Sequence, residues 1–434
     1  MKRVCVINVA ALSGRLLEAA GDDLRIKKLA MPPRAMKPTL PAVTCSVQAS
    51  LTTGVPPAVH GIIANGLHFR ESRETSFWEQ SNTLLAKKRF WHSRHLPDTP
   101  RVAMLFWQNS MAGAADIVVT PKPRHTEDGR TLSWCFSQPA GLYDELITEI
   151  GEFDLMSYWG PMASVKSSQW ITACALRIWK GERPDLQLVY LPHLDFGPQR
   201  WGPDDPRMVA EVQAADAMVG QLIDAVQADG GEAVVLSEYG MVPVRRAVRP
   251  NILLRQAGLL AVREQDGQEL LDLENSRAFA MVDHQVAHIY CQDQTAIEAA
   301  AEVLGASDGV GQVLVGSEIE HAGLRNPRSG EAVALARSDS WFAYYWWTDP
   351  AKAPRFAHTV DIHNKPGYDP CELFFDPQTR RIPTDPSLVK GSHGLVNVPA
   401  RDQAILAATC ELEGADSPMA TDVAEMIKGV MFGR

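Results

Sequence analysis

Apolar and polar positions follow two different periods along this chain of 434 residues. Residues 4–9 form a short, β-branched apolar run, the pattern of a strand buried on both faces in a parallel sheet. Comparable runs at 101–107, 115–120, 185–191 and 233–236 predict further strands. Between them the apolar spacing becomes helical at 142–150, 167–180 and 206–228. Strand, helix and strand with short connections predict right-handed βαβ units. In such sheets chemistry gathers at the carboxyl ends of the strands, and Thr44, Asp195 and Glu238 each lie at or just past one.

From 247 to 355 the pattern loosens. Alternation at 278–282 and 287–290 predicts antiparallel strands, followed by a helix over 294–303 and a strand over 341–347. The expected division is a core of 1–246 with 356–434, interrupted by a smaller α+β subdomain at 247–355. The aromatic stretch 67–100 reads either as a lid over a pocket or as a satellite cluster under a long loop.

Composition narrows the class. Hydrophobic residues make up 45% and charged residues 22%, ordinary for a globular domain. A net charge of −10 argues against a nucleic-acid backbone as partner. The seven cysteines include no CxxC pair, which suggests neither a disulfide framework nor a zinc ribbon. No apolar run approaches the roughly 18 residues of a membrane span, so no membrane partner is expected and the expected location is the cytoplasm.

The stretch 41–54 carries the first chemical signal. An extended Pro/Val run delivers Thr44 to the start of a small-residue helix that closes on Gly54. Backbone N–H groups and the helix dipole favour an anion there, and a threonine so placed can attack phosphorus once its proton is easily lost. Taken alone, a threonine before a helix is more often an N-cap.

Other segments add to it. Residues 53–61 read Thr-Gly-Val-Pro-Pro-Ala-Val-His-Gly, with Asn65 shortly after; Asp195 and Gln199 lie in 194–203; residues 237–241 read Ser-Glu-Tyr-Gly-Met; residues 391–394 read Gly-Ser-His-Gly; and Asp216 precedes Val219-Gly220. Together they resemble the alkaline phosphatase superfamily, most closely its nucleotide pyrophosphatase/phosphodiesterase branch. The resemblance implies a three-layer α/β fold with a mostly parallel central sheet. It also implies a metal-dependent hydrolase that cleaves a phosphodiester, pyrophosphate or phosphomonoester of a small molecule through a phosphothreonine. Thr44 would be the nucleophile, Asn65 would hold a phosphate oxygen, and Asp195, His393 and Glu238 would bind one or two divalent ions, zinc in this branch.

The sequence departs from that pattern. Ala10 (or Ala11) stands where an aspartate ligand is usual, Gln199 where a histidine is, and Glu238-Tyr239 where an Asp-His pair is. Two other readings therefore stand beside the hydrolase: a ligand-binding relative without catalysis, and a phospho- or sulfotransferase. Spare ligands are available. His193 would share a strand face with Asp195. Asp361, His363, Lys365 and Asp369 form the densest polar stretch and would supply replacement ligands or phosphate contacts. Asp283, His284 and, more weakly, His288 are further candidates, with at most one of the adjacent pair facing a site if both lie in a strand. Arg245, Arg246 and Arg249 would clamp an anion or remain solvated. Cys45 is expected to be buried packing.

Overall fold

Five parallel strands form the middle of an eight-stranded sheet, in the order Met31–Met36, Ala404–Ala408, Glu232–Leu236, Val4–Val9, Leu186–Leu191, Val102–Leu105, Ile117–Pro121 and Cys135–Gln138. This computed structural model describes residues 1–125, 131–414, 416 and 418–433. The first strand pairs parallel on both sides, Val4 lying opposite Leu186 and Glu232. Ala404–Ala408 and Cys135–Gln138 pair antiparallel. All six residues of Val4–Val9 and of Leu186–Leu191 are buried, which explains their continuous apolar runs.

Helices cover both faces. Val165–Gly181 and Met208–Ala228 pack on one through Ile171, Trp179, Val212 and Leu222. Thr44–Thr53 and Val423–Phe432 cover the other, with Val47, Leu51 and Ile427 in the core. The architecture is thus three-layered and mostly parallel, as expected.

A second, antiparallel sheet follows the order Ala278–Asp283, Val286–Cys291, Ala332–Ala336, Val310–Val315. The helix Gln294–Gly305 packs on it with Ala296, Ala300 and Leu304 buried. Its core also takes in Ile63, Ala64, Leu67 and Phe77, which surround the hairpin Gly66–Phe69 with Glu74–Phe77. Gly66 is required there, since a Cβ would sit 2.4 Å from the Phe77 ring.

Two expectations change. Only Trp341 and Phe342 of the stretch 341–347 are strand, in Ser340–Phe342, which pairs parallel with Arg246–Val248. Its partner stops because Pro250 opens the helix Pro250–Gln256; the residues beyond stay buried as irregular chain. The stretch 67–100 is no lid: Phe90 and Trp91 join the core beneath the Thr44 helix, while 70–74 and 92–95 are exposed. Arg89, buried, donates to Thr52 Oγ1 and to the carbonyls of Gln108 and Asn109.

Candidate active site

Thr44 is the first residue of its helix, not the cap. Val43, extended at φ −130°, occupies the N-cap position and makes no side-chain cap bond. The helix closes on Gly54 at φ 72°, a conformation that favours glycine. The Thr44 hydroxyl is therefore free for another partner: its Oγ1 lies 3.1 Å from the Tyr239 hydroxyl. Tyr239 in turn donates to Asp195 Oδ1 at 3.1 Å.

Asp195 is held from its other side. Gln199, one helical turn on, donates from Nε2 to Asp195 Oδ2 at 2.5 Å, and Gln199 Oε1 accepts from the Tyr368 hydroxyl at 3.0 Å. A chain of neutral donors thus runs through one buried carboxylate, from Thr44 through Tyr239, Asp195 and Gln199 to Tyr368. Burial pushes Asp195 up to about 7, against the pull of the Tyr239 hydrogen bond.

His393 Nε2 lies 3.8 Å from Asp195 Oδ1, so the two residues meet despite their separation in sequence. Its Nδ1–H donates to the Ala42 carbonyl at 2.7 Å, which leaves Nε2 as the lone-pair nitrogen. That buried atom has no hydrogen-bond partner among the described residues. Burial pushes His393 down to about 3.

Glu238 follows the strand Glu232–Leu236 and is fully buried. Gln48 Nε2 donates to Glu238 Oε1 at 2.8 Å, while Oε2 has no hydrogen-bond partner among the described residues. Nearby on the sheet, Asn8 is fully buried, and neither of its amide atoms meets hydrogen-bond geometry with any described residue. Burial pushes Glu238 up to about 7, partly offset by the Gln48 hydrogen bond. Gln48 escaped the sequence analysis, although its place four residues after Thr44 puts both on one helix face.

Asn65 is locked in place. Its Oδ1 accepts from the Cys45 N–H at 2.9 Å, while its own N–H and Nδ2 donate to Asp283 at 2.7 and 3.1 Å. Burial pushes Asp283 up to about 7. Among the described residues, no lysine or arginine forms an ion pair with Asp195, Glu238 or Asp283. Cys45 is buried packing, as expected, its thiol pushed well up by burial.

Both Asp283 and His284 face the site, against the rule that neighbours in a strand diverge. His284 belongs to the two-residue turn after the strand Ala278–Asp283 and sits at φ 58°. That left-handed turn swings its ring onto His393, with centroids 3.6 Å apart. His284 also stacks on Tyr368 at 3.8 Å, and Tyr239 stacks on His393 at 3.5 Å with planes 4° apart. Tyr239, His393, His284 and Tyr368 form one continuous ring column. Sequence reasoning missed Tyr368, which is 169 positions from Gln199 and meets it only in the fold.

The remaining candidates lie elsewhere. His193 belongs to a short 3-10 helix, His193–Asp195, because Pro192 already has helical dihedrals. Strand alternation therefore ends before it, and its ring nitrogens contact Ser168 Oγ and the Glu211 carbonyl in the helical layer. His193 is not a ligand beside Asp195. His288 contacts the Ile63 carbonyl and the Gly330 N–H. Asp361 accepts from Asn364 in a local turn and His363 is exposed. Lys365 is buried with Asp369 and Glu372 at 2.9 and 2.7 Å. The stretch is a turn followed by a buried ion triad, because no strand forms there to align its side chains. Arg245 and Arg246 pair with Asp339 and Asp308 at the surface, so neither clamps an anion at Thr44.

Comparison with known proteins decides the family. The family model for Type I phosphodiesterase / nucleotide pyrophosphatase matches residues 4–369. The chain belongs to the Type I phosphodiesterase / nucleotide pyrophosphatase family. A stretch of 66 residues is 33% identical to an uncharacterized pyrophosphatase/phosphodiesterase of Schizosaccharomyces pombe, and it spans 14% of this chain and 14% of that relative. Among solved structures, phosphonoacetate hydrolase from Sinorhizobium meliloti 1021 with phosphonoformate aligns at a TM-score of 0.64 and 17% identity. It covers 99% of this chain and 96% of its own. Murine ectonucleotide pyrophosphatase / phosphodiesterase 5 aligns at 0.60 and 15%, covering 99% and 95%. The fold is therefore the alkaline phosphatase-like one, and membership supports the class of phosphoester hydrolases.

Members of the Type I phosphodiesterase family are generally divalent-metal dependent. The donor set here does not fit the ion pair that the resemblance implied. Ala10 and Ala11 bring methyl groups where a carboxylate is usual, and Ala11 packs with Ala42, Tyr239 and Met241 in an apolar cluster. Both oxygens of Asp195 already accept from neutral donors. Among the described residues, no three His, Cys, Asp or Glu side chains gather to hold an ion. Of the other expected zinc ligands, His193 faces away into the helical layer, while Glu238 spends one oxygen on Gln48 and keeps Oε2 without a hydrogen-bond partner among the described residues.

Proposed function

We propose that the protein hydrolyses a phosphoester of a small molecule, with Thr44 as the attacking group and a phosphothreonine as the intermediate. One observation carries it: the Thr44 hydroxyl, released from capping by Val43, points from a helix N-terminus to a proton-accepting chain at 3.1 Å. An anion at that terminus would meet the positive end of the helix dipole. Asn65, fixed by Asp283 and Cys45, keeps one Nδ2 hydrogen for a phosphate oxygen. AMP is bound by a structural neighbour in a form described as inactive through replacement of a threonine by alanine, so a nucleoside monophosphate group is a sensible first ligand.

The test is turnover of bis(p-nitrophenyl) phosphate and p-nitrophenyl phosphate by the wild type and by Thr44→Ala. The alanine variant should lose hydrolysis while its melting temperature barely moves, because Thr44 caps nothing. Intact mass after a brief acid quench should show one phosphoryl group on the wild type only. Equal turnover by the two proteins would sink the assignment.

A second reading is favoured by Ala10, Gln199 and Tyr239: a relative that binds a phosphoester without cleaving it. It predicts AMP binding by calorimetry, weakened in Thr44→Ala, with no turnover by either protein.

A further inference from the structure

The Tyr239 hydroxyl bridges Thr44 and Asp195. It is 3.1 Å from each, whereas a zinc ion needs its oxygen ligands at about 2.0–2.2 Å. The hydroxyl thus makes with both residues the bridge that a shared ion would otherwise make, and it donates to the same Asp195 oxygen on which an ion would draw. The tyrosine is held by its whole ring. One face lies 3.5 Å from the His393 ring with planes 4° apart, and the rest packs with Ala11, Ala42 and Met241. A carboxylate at position 11 would enter that apolar cluster as a buried charge without an opposing cation. On the other side, the Gln199 amide occupies Asp195 Oδ2, and Tyr368 fixes the orientation of that amide. At two positions where the resemblance implied histidine ligands, Tyr239 and Gln199 instead donate to the two oxygens of Asp195.

We propose that Tyr239 takes the place of the family's divalent ion, holding Thr44 against Asp195 and serving as the group that receives the threonine proton. Gln199 and Tyr368 are positioning residues for Asp195. The proposal rests on the reading of Thr44 as the attacking group. In the transfer step, the Thr44 oxygen bonds to phosphorus as its proton passes to the Tyr239 oxygen. Tyr239 passes its own proton to Asp195 Oδ1. The phosphorus–oxygen bond to the leaving group breaks with its electron pair, and the departing alkoxide is protonated by water, whose hydroxide recovers the proton from Asp195. No electron changes hands, and no cofactor enters the balance.

Metal content is read first, independently of turnover. Purified protein dialysed against zinc and then against buffer should retain well under one equivalent by elemental analysis, and its melting temperature should be the same with EDTA, ZnCl2 or MnCl2. About one equivalent of zinc (the stoichiometry of a structural or catalytic site), lost in both Asp195→Ala and His393→Ala, would overturn the proposal even if hydrolysis proceeds. The reverse replacement, Tyr239→His with Gln199→His, Ala10→Asp and Glu238→Asp, should gain zinc and melt higher in its presence. If that variant does not fold, Tyr239→Phe keeps the ring column and removes only the hydroxyl. It should melt like the wild type and retain KM, while kcat falls by about 100-fold or more, the usual contribution of a placed acid or base. An unchanged kcat in Tyr239→Phe overturns the role of the hydroxyl. A wild type that binds no metal and turns nothing over keeps the replacement of the ion and removes the hydrolase reading instead.

Discussion

Glu238 shows how far a single residue's environment sets its behaviour. Its carboxyl is fully buried, and burial moves it from an ordinary 4.5 up to about 7. The folded protein therefore holds this proton more tightly than the unfolded chain does. Its stabilising contribution is complete below about pH 4.5, declines as pH rises, and is gone above about pH 7. Glu238→Gln keeps an acceptor for Gln48 and has no charge to bury. Relative to the wild type it should gain up to about 3 kcal/mol between pH 4.5 and pH 8, read from urea midpoints at the two pH values. A cation held by Glu238 would give the reverse, a variant weakened at pH 8.

At the level of elements, the segment 359–373 is organised by Lys365. Its ammonium, buried beside Asp369 and Glu372, also donates to the Thr359 carbonyl at 2.9 Å. Burial alone would lower its affinity for the proton, and the two carboxylates outweigh that and raise it. Asp369 further caps the 3-10 helix Pro370–Leu373 through the Cys371 N–H, and Trp159 Nε1 donates to Glu372. Lys365→Met should leave two buried carboxylates without their cation. The expected loss is about 3–5 kcal/mol, measured by chemical denaturation, and smaller at pH 5 than at pH 8, because burial raises the Glu372 carboxyl and its protonation relieves the loss of the cation. Since the segment carries Tyr368, the same variant should loosen Gln199 and lower any turnover.

Across the whole molecule, the second sheet is part of the site. Asp283 at the end of one of its strands fixes Asn65, and His284 in the next turn completes the ring column. Its hydrophobic core is shared with Ile63, Ala64, Leu67 and Phe77. Removal of residues 247–355 should therefore expose these apolar side chains and leave a chain without a cooperative melt, followed by circular dichroism. A sharp transition in the shortened chain would show that the core folds alone. No helix among the described residues is long and apolar enough to cross a membrane.

By itself the sequence determined the parallel strands, because residues buried on both faces must be apolar without interruption, as in Val4–Val9 and Leu186–Leu191. It also determined the place of Thr44, since an extended run, a small-residue helix and Gly54 are local signals. The meeting of Asp195 with His393 was legible only through family resemblance, and the structure brings them to 3.8 Å. What tertiary structure decided is where periodicity fails. Pro192 ends strand geometry one residue before His193, and His284 turns at positive φ out of its strand. Asp361 and His363 have no strand to align them. The partnership of Tyr239 with Thr44 and Asp195, and of Tyr368 with Gln199, joins segments far apart in the chain. Such contacts leave no period in the sequence, because side-chain spacing reports only which face of its own element a residue occupies.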